Sequence, residues 1–227
     1  MDSPTPERGV TTGGAPRSPA SRRTRRSDGE RSYRAIMEAA TSLATERGLD
    51  GLSIADLAVA TGMSKGGLYA HFGSKLELQL ATIAAAADIM NAQVIGPALS
   101  APEPIARLRA LSENFLTYAQ HTFPGGCFFA SASSEFGARA GDVRELLVNH
   151  HIAWTSLLTD IINDACEAGQ LDIRDKEPTQ LAFEFDSFLH LANDTYVLHR
   201  DHEQIQRARR AVAWLLEYHS PDQCRSS

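Results

Sequence analysis

Between Ser53 and Lys75 the chain gathers side chains suited to gripping a polyanion. Lys65 carries a cation that can reach guanine acceptors or phosphate, Tyr69 a hydroxyl for phosphate, and His71 and Lys75 add further donors. Ser53 and Ser64 stand where helices begin, and a helix start offers backbone N–H groups to phosphate oxygens. Gly66 and Gly67 are adjacent in the same run, although each costs about 1 kcal/mol against alanine inside a helix. That cost makes sense where the backbone must come close to a neighbour, here a DNA backbone or a base edge. The chemistry of this set is non-covalent: phosphate grip and base-edge reading.

Other groupings carry less. Asp186, His190 and Asp194 fall at i, i+4 and i+8 and share one helix face, and His150, His151, His199 and His202 supply more imidazoles. A divalent ion there would need ligands from a second helix. The plainer reading is a solvated or interface-rim polar face, and no metal is assigned. Cys127 or Ser131 with His150 would be the raw material of a small all-α enzyme, but no nucleophile elbow, phosphate loop or paired carboxylates accompany them. Cys127, Cys166 and Cys224 are far apart and odd in number, which gives neither a disulfide framework nor a zinc cluster. No catalytic residue and no cofactor is assigned.

The elements that must position the basic set are helical. Leu52-Ser53-Ile54-Ala55-Asp56-Leu57 reads as an N-cap at Ser53, a capping-box partner at Asp56 and a hydrophobic staple of Leu52 on Leu57. Ser64 caps a second helix, with Met63 and Leu68 repeating the staple, and Ser74 with Glu77 caps a third. Gly62 supplies the tight turn between the first two. A helix of about eight residues, a sharp turn and a second short helix ending near Phe72 make a helix-turn-helix. Upstream, Tyr33, Ile36, Met37, Ala40, Leu43 and Ala44 recur every three or four residues, and Gly48 closes that helix.

Downstream, caps and breakers predict helices over about 75–95 (stopped by Gly96-Pro97), from near 104 through Tyr118 to before Pro124-Gly125-Gly126, and over about 127–136, 142–168, 179–198 and 202–219. No stretch alternates with a period of two, so the fold class is all-α. No apolar run reaches the ~20 residues of a membrane span, and a cytoplasmic protein without a membrane partner is expected.

The net charge of −6 is unevenly spread. Residues 1–75 hold 11 Lys and Arg against 8 Asp and Glu, while the remainder holds 11 against 20. A basic third joined to an acidic remainder points to a polyanion partner for one part only. Residues 1–28 are rich in Pro, Gly, Ser and Thr and are expected to be a disordered arm. Its Arg22-Arg23-Thr24-Arg25-Arg26 run places Arg23, Arg25 and Arg26 as candidates for phosphate or minor-groove contact, unless it is simply a solvated basic tail.

The run Gly62-Met63-Ser64-Lys65-Gly66-Gly67-Leu68-Tyr69-Ala70-His71-Phe72-Gly73-Ser74-Lys75 resembles the DNA-binding domain of the tetracycline-repressor (TetR) family, the likeness extending over about residues 30–76. Gly67 and Ala70 depart from the residue types usual there, which shifts base reading toward Lys65 and the backbone. The resemblance implies an all-α homodimer: a three-helix DNA-binding domain (29–76) and a larger helical domain (77–220) with an inducer pocket and the last two helices paired across the dimer. Such a protein is a ligand-responsive repressor on a palindromic double-stranded DNA operator, released by a small-molecule inducer. A metal-sensing or ligand-independent DNA-binding regulator is the alternative.

Two apolar stripes, Leu181/Phe185/Phe188/Leu189/Ala192/Tyr196 and Ile205/Ala208/Val212/Leu215/Leu216, can build a four-helix interface with their symmetry mates or face the core of one subunit. The rings of Phe115, Tyr118, Phe128, Phe129, Trp154, Phe185 and Phe188 are the candidates for lining a pocket that takes an apolar or aromatic molecule, the alternative being a packed core.

Overall fold

The computed structural model describes residues 19–174 and 176–221, with side chains from residue 28. Ten α-helices run through them: α1 Pro19–Arg47, α2 Ile54–Thr61, α3 Lys65–Tyr69, α4 Lys75–Met90, α5 Gly96–Leu99, α6 Pro104–His121, α7 Phe128–Phe136, α8 Asp142–Glu167, α9 Pro178–His199 and α10 His202–Tyr218. No strand occurs among the described residues. The helix expected from about residue 30 begins at Pro19. The side chains of Arg23, Arg25 and Arg26, most of the expected arm, and Cys224 lie outside what is described.

Residues 35–221 carry two apolar cores. The smaller joins Ile36, Met37 and Ala40 of α1 to Leu52, Leu57, Leu68, Phe72 and Leu78. The larger is built by α4 through α10, with Phe115, Leu158, Leu189 and Leu216 each 2% exposed or less. The stretch Lys75–Leu99 is, by length and composition, apolar enough to cross a membrane. Its apolar side is spent inside the protein, because Leu78, Ile83, Ala86, Met90, Val94 and Ala98 are buried in these two cores.

The helix expected to stop at Gly96-Pro97 continues to Leu99. Between α4 and α5, Asn91–Ile95 form a π-helical turn, in which the Gly96 N–H bonds the Asn91 carbonyl. Pro97 then falls in the first turn of α5, where its missing N–H costs little. Asn114 of α6 donates its Nδ2 to the Val94 carbonyl at 3.1 Å, satisfying one group that the widened turn releases.

Most of the two apolar stripes of α9 and α10 packs into the core of one subunit, Phe188 alone of the α9 stripe being half-buried. Leu181, Phe185 and Leu189 on α9, and Ile205, Val212 and Leu216 on α10, are all buried within the chain. What these helices leave exposed is a different set: Phe183 at 67%, Leu191 at 63%, Leu198 at 76% and Trp214 at 59%. Both faces of each helix carry apolar residues, so periodicity alone could not say which one met the core.

Candidate nucleic-acid interface and internal cavity

The turn between α2 and α3 is built as its residues require. The Ser53 Oγ accepts the Asp56 N–H at 3.2 Å. The Asp56 carboxylate in turn takes the Ser53 hydroxyl at 2.5 Å and the Arg47 guanidinium at 2.5 Å, and these contacts hold its pKa below the usual carboxylate range. The Ser64 Oγ accepts the Gly67 N–H at 3.2 Å, and the Ser74 Oγ accepts the Glu77 N–H at 3.1 Å. Gly62 closes α2 at φ 69°, a left-handed conformation that glycine reaches without strain. Of the two expected staples, Leu52, Leu57 and Leu68 are buried and Met63 is half-buried.

α3 spans only Lys65–Tyr69, and its backbone closes with single turns onto Gly66 and Leu68 rather than running helically to Phe72. Leu68 and Phe72 anchor it from beneath. Above them Lys65, Gly66 and Tyr69 are exposed and His71 is half-buried. A Cβ built on Gly66 meets nothing within 4 Å, so packing inside the protein does not call for glycine there. Lys65 and Tyr69 border a concavity that also takes in Ser53, Ser74 and Lys75. Three of the expected DNA-contact side chains, Ser53, Tyr69 and Lys75, therefore share one face with Lys65.

Lys75 is already engaged: its Nζ lies 2.7 Å from Asp50 Oδ1, while Arg139 holds the other oxygen at 2.8 Å. Hydrogen bonds from these two cations bring the Asp50 pKa down to about 2. Asp50 thus ties the start of α4 to the segment that follows α7.

A second contact runs beside it and was not legible beforehand. The Glu135 carboxylate of α7 accepts the Leu49 N–H at 2.7 Å and the Asp50 N–H at 3.0 Å, capping the turn that leads into α2. The α6–α7 turn is itself pinned. Gly126 sits at φ 79°, and a Cβ there would come within 2.5 Å of both Asn193 and Val197. The Asn193 Oδ1 accepts the Cys127 N–H at 2.7 Å.

The larger core encloses a cavity of about 320 Å³. Phe115, Phe129 and Trp154 line it, as expected from the aromatic inventory. Phe128, Phe185 and Tyr118 do not: they point into the packed core, none more than 1% exposed. Phe188 borders a separate surface groove with Leu191. The remaining walls include Met90 and Asn91 at the π-helical turn, Ser133 of α7 and three imidazoles, His150, His151 and His190.

The indole of Trp154 is locked by its Nε1, which donates to Asp186 at 2.7 Å. His190 Nε2 lies 3.5 Å from the same oxygen, and its ring stacks against Phe115. Burial lowers the pKa of His150, and Phe129 covers one face of its ring with centroids 3.7 Å apart.

Among the described residues no group of three or more His, Cys, Asp or Glu is gathered as a metal site. Within the Asp186/His190/Asp194 face, Asp186 and His190 face each other, and Asp194 receives the Asn193 amide at 3.0 Å. Burial pushes the Cys127 thiol up to about 11, which is not the thiolate that covalent catalysis needs.

Comparison with known proteins agrees with this architecture. Residues 36–82 match the family model described as bacterial regulatory proteins, tetR family, and residues 104–212 match a tetracyclin repressor-like C-terminal domain. A TetR transcriptional regulator from Chloroflexus aurantiacus is 22% identical, with a TM-score of 0.75 over 85% of this chain and 96% of that one. AibR, solved with isovaleryl coenzyme A and operator DNA, is 25% identical, with a TM-score of 0.65 over 82% of this chain and 98% of that one. A TetR-family regulator from Cytophaga hutchinsonii is 19% identical at a TM-score of 0.75, covering 86% and 97% of the two chains. No curated protein matches the sequence.

Proposed function

The chain belongs to the tetR family of DNA-binding transcriptional regulators, and on that premise we propose that it is a homodimeric repressor released from a palindromic operator by a small apolar or aromatic effector. The observation that carries this reading is one continuous scaffold. α7 lines the cavity with Phe129 and Ser133 and, on another side, holds the Leu49–Asp50 turn through Glu135. An effector that repositions α7 or the start of α8 moves the base of the helix-turn-helix with it, and tilts α4, whose own end reaches the cavity at Met90. AibR, a neighbour solved with both a ligand and operator DNA, supports coupling of the two kinds of binding in this fold.

In this reading Lys65 and Tyr69 make the principal base and phosphate contacts, with backbone approach at Gly66 and Gly67. Ser53, Ser64 and His71 support them, and Arg23, Arg25 and Arg26 of the basic N-terminal segment add phosphate or minor-groove contacts. Lys75 contributes once a phosphate competes with Asp50 for it. The subunits pair through α9 and α10 by the exposed Phe183, Leu191, Leu198 and Trp214, which sets two α3 helices about 34 Å apart. The protein works in the cytoplasm, where its operator is. It turns over no substrate.

The test is selection of bound DNA from a random pool by the purified full chain, followed by titration of the selected site. The expected product is a two-fold symmetric sequence whose binding falls with Lys65→Ala and Tyr69→Ala. Recovery of no preferred sequence, or equal binding by both variants, would overturn the reading.

A further inference from the structure

The walls of the cavity specify its occupant more narrowly than apolar or aromatic. Among the described residues no Lys, Arg, Asp or Glu lines it, and its polar surface comes from imidazoles, Asn91 and Ser133. Behind this wall stands the carboxylate of Asp186, whose side chain is 13% exposed and which has no Lys or Arg partner among the described residues; it is held by the Trp154 N–H and faces His190. Its negative field reaches the cavity wall, where it helps to raise the pKa of Cys127. An anionic group bound here would find no Lys or Arg in the wall and would meet the like charge of Asp186 behind it, which disfavours its binding.

His150 has the opposite character. Its ring nitrogens have no hydrogen-bond partner among the described residues, and burial favours the neutral ring. With Phe129 over one face, its donor and its acceptor are left in the plane of the imidazole. The size is also informative, since a cavity of about 150 Å³ accommodates one benzene ring and this one measures about 320 Å³.

We propose that the cavity takes an uncharged hydroxyaromatic molecule of about two fused rings, its ring system held among Phe115, Phe129 and Trp154 and its hydroxyl hydrogen-bonded to His150. This rests on the effector reading given above and names the chemistry of that effector. Asp186 acts as the discriminating group: it fixes Trp154 and His190 and excludes carboxylates.

Three probes with one ring system test it on the full chain without DNA, by calorimetric titration: 2-naphthol, naphthalene and 2-naphthoate. The expected order is 2-naphthol about tenfold tighter than naphthalene, with 2-naphthoate at least tenfold weaker than 2-naphthol. In His150→Phe the preference of 2-naphthol over naphthalene falls to about one while naphthalene still binds. In Asp186→Asn, which keeps an oxygen for the Trp154 N–H, 2-naphthoate gains at least threefold on 2-naphthol.

The proposal is overturned if 2-naphthoate binds as well as 2-naphthol, if no probe binds, or if the hydroxyl preference survives in His150→Phe. Should His150→Phe not fold, the response of Asp186→Asn decides alone, and no gain by 2-naphthoate overturns it. Operator affinity measured in parallel separates the two readings. Binding through His150 with no change at the operator refutes the effector role and leaves the cavity chemistry standing. Intact operator binding with no probe bound refutes the cavity chemistry alone.

Discussion

Glu135→Ala removes the acceptor for two backbone donors at once. The Leu49 N–H lies 2.7 Å and the Asp50 N–H 3.0 Å from the carboxylate. A hydrogen bond to a charged group contributes about 1.5–3 kcal/mol, and a donor left buried forfeits a similar amount. The two sites differ in what replaces the carboxylate. Leu49 is 1% exposed, so its amide is left without a partner, whereas Asp50 is half-exposed and water can take over. The expected loss is therefore about 2 kcal/mol, close to that of one full bond. In a chain of this size that corresponds to a fall of about 4–8 °C in Tm.

Glu135→Gln keeps one oxygen but presents an NH2 to the second donor, so its loss falls between those of wild type and Ala. Calorimetric melts of the three proteins measure this, and hydrogen exchange at the Leu49 amide reports the same bond locally, with faster exchange expected in the Ala variant. Melting of Glu135→Ala within about 1 °C of wild type, or unchanged protection at Leu49, would refute the reasoning.

Lys65→Ala should weaken operator binding about tenfold or more and reduce the slope of log affinity against log salt by close to one, both measured by fluorescence anisotropy at several salt concentrations. Gly66→Ala separates folding from binding: with nothing within 4 Å of the added methyl, the melting temperature should rise by a degree or more, while operator affinity falls if backbone approach is what the glycine serves. Asp50 titrates at about 2 when folded, below its unfolded value near 4. Its contribution is thus present above pH 4 and lost as pH falls toward 2. Urea titrations at pH 5 and pH 2.5 should show Asp50→Asn losing less stability over that interval than wild type. Leu191→Glu, at a position 63% exposed in the single chain, should shift sedimentation toward the monomer without lowering the melting temperature of the subunit.

The helix-turn-helix was readable because its determinants are local. Ser53, Ser64 and Ser74 bond groups three residues away, and Gly62 has its φ set by the helix it ends. The cavity was half readable. Phe115, Phe129 and Trp154 belong to it, but so by type would Phe185 and Tyr118, and only the rotational phase of α6 and α9 sends those two into the core. His150 and His190 come together from helices forty residues apart in sequence, and no spacing rule connects them. Glu135 is further still from Leu49, separated by 86 positions. A single glutamate on a short helix carries no mark of the backbone it will cap. The stripes on α9 and α10 were found correctly as apolar, but the faces left exposed are carried by fewer large residues and give a weaker pattern.

The π-helical turn at Asn91–Ile95 also works as a phase adjuster. Such a turn holds one residue more than the α-helical turn it replaces, and each residue advances a helix by about 100°. The residue register by which α4 serves the smaller core through Leu78 is thereby offset by one from the register that serves the larger core through Val94 and Ala98. Deleting one residue between 91 and 95 would remove the residue that the wide turn absorbs and restore regular winding with the reading head still in phase, whereas deleting one from the regular part of α4 would turn it by roughly a quarter of a revolution about the helix axis. Within α4 a length change is therefore an angular change at the helix-turn-helix, and the π-helical turn is the place where one residue can be lost without it.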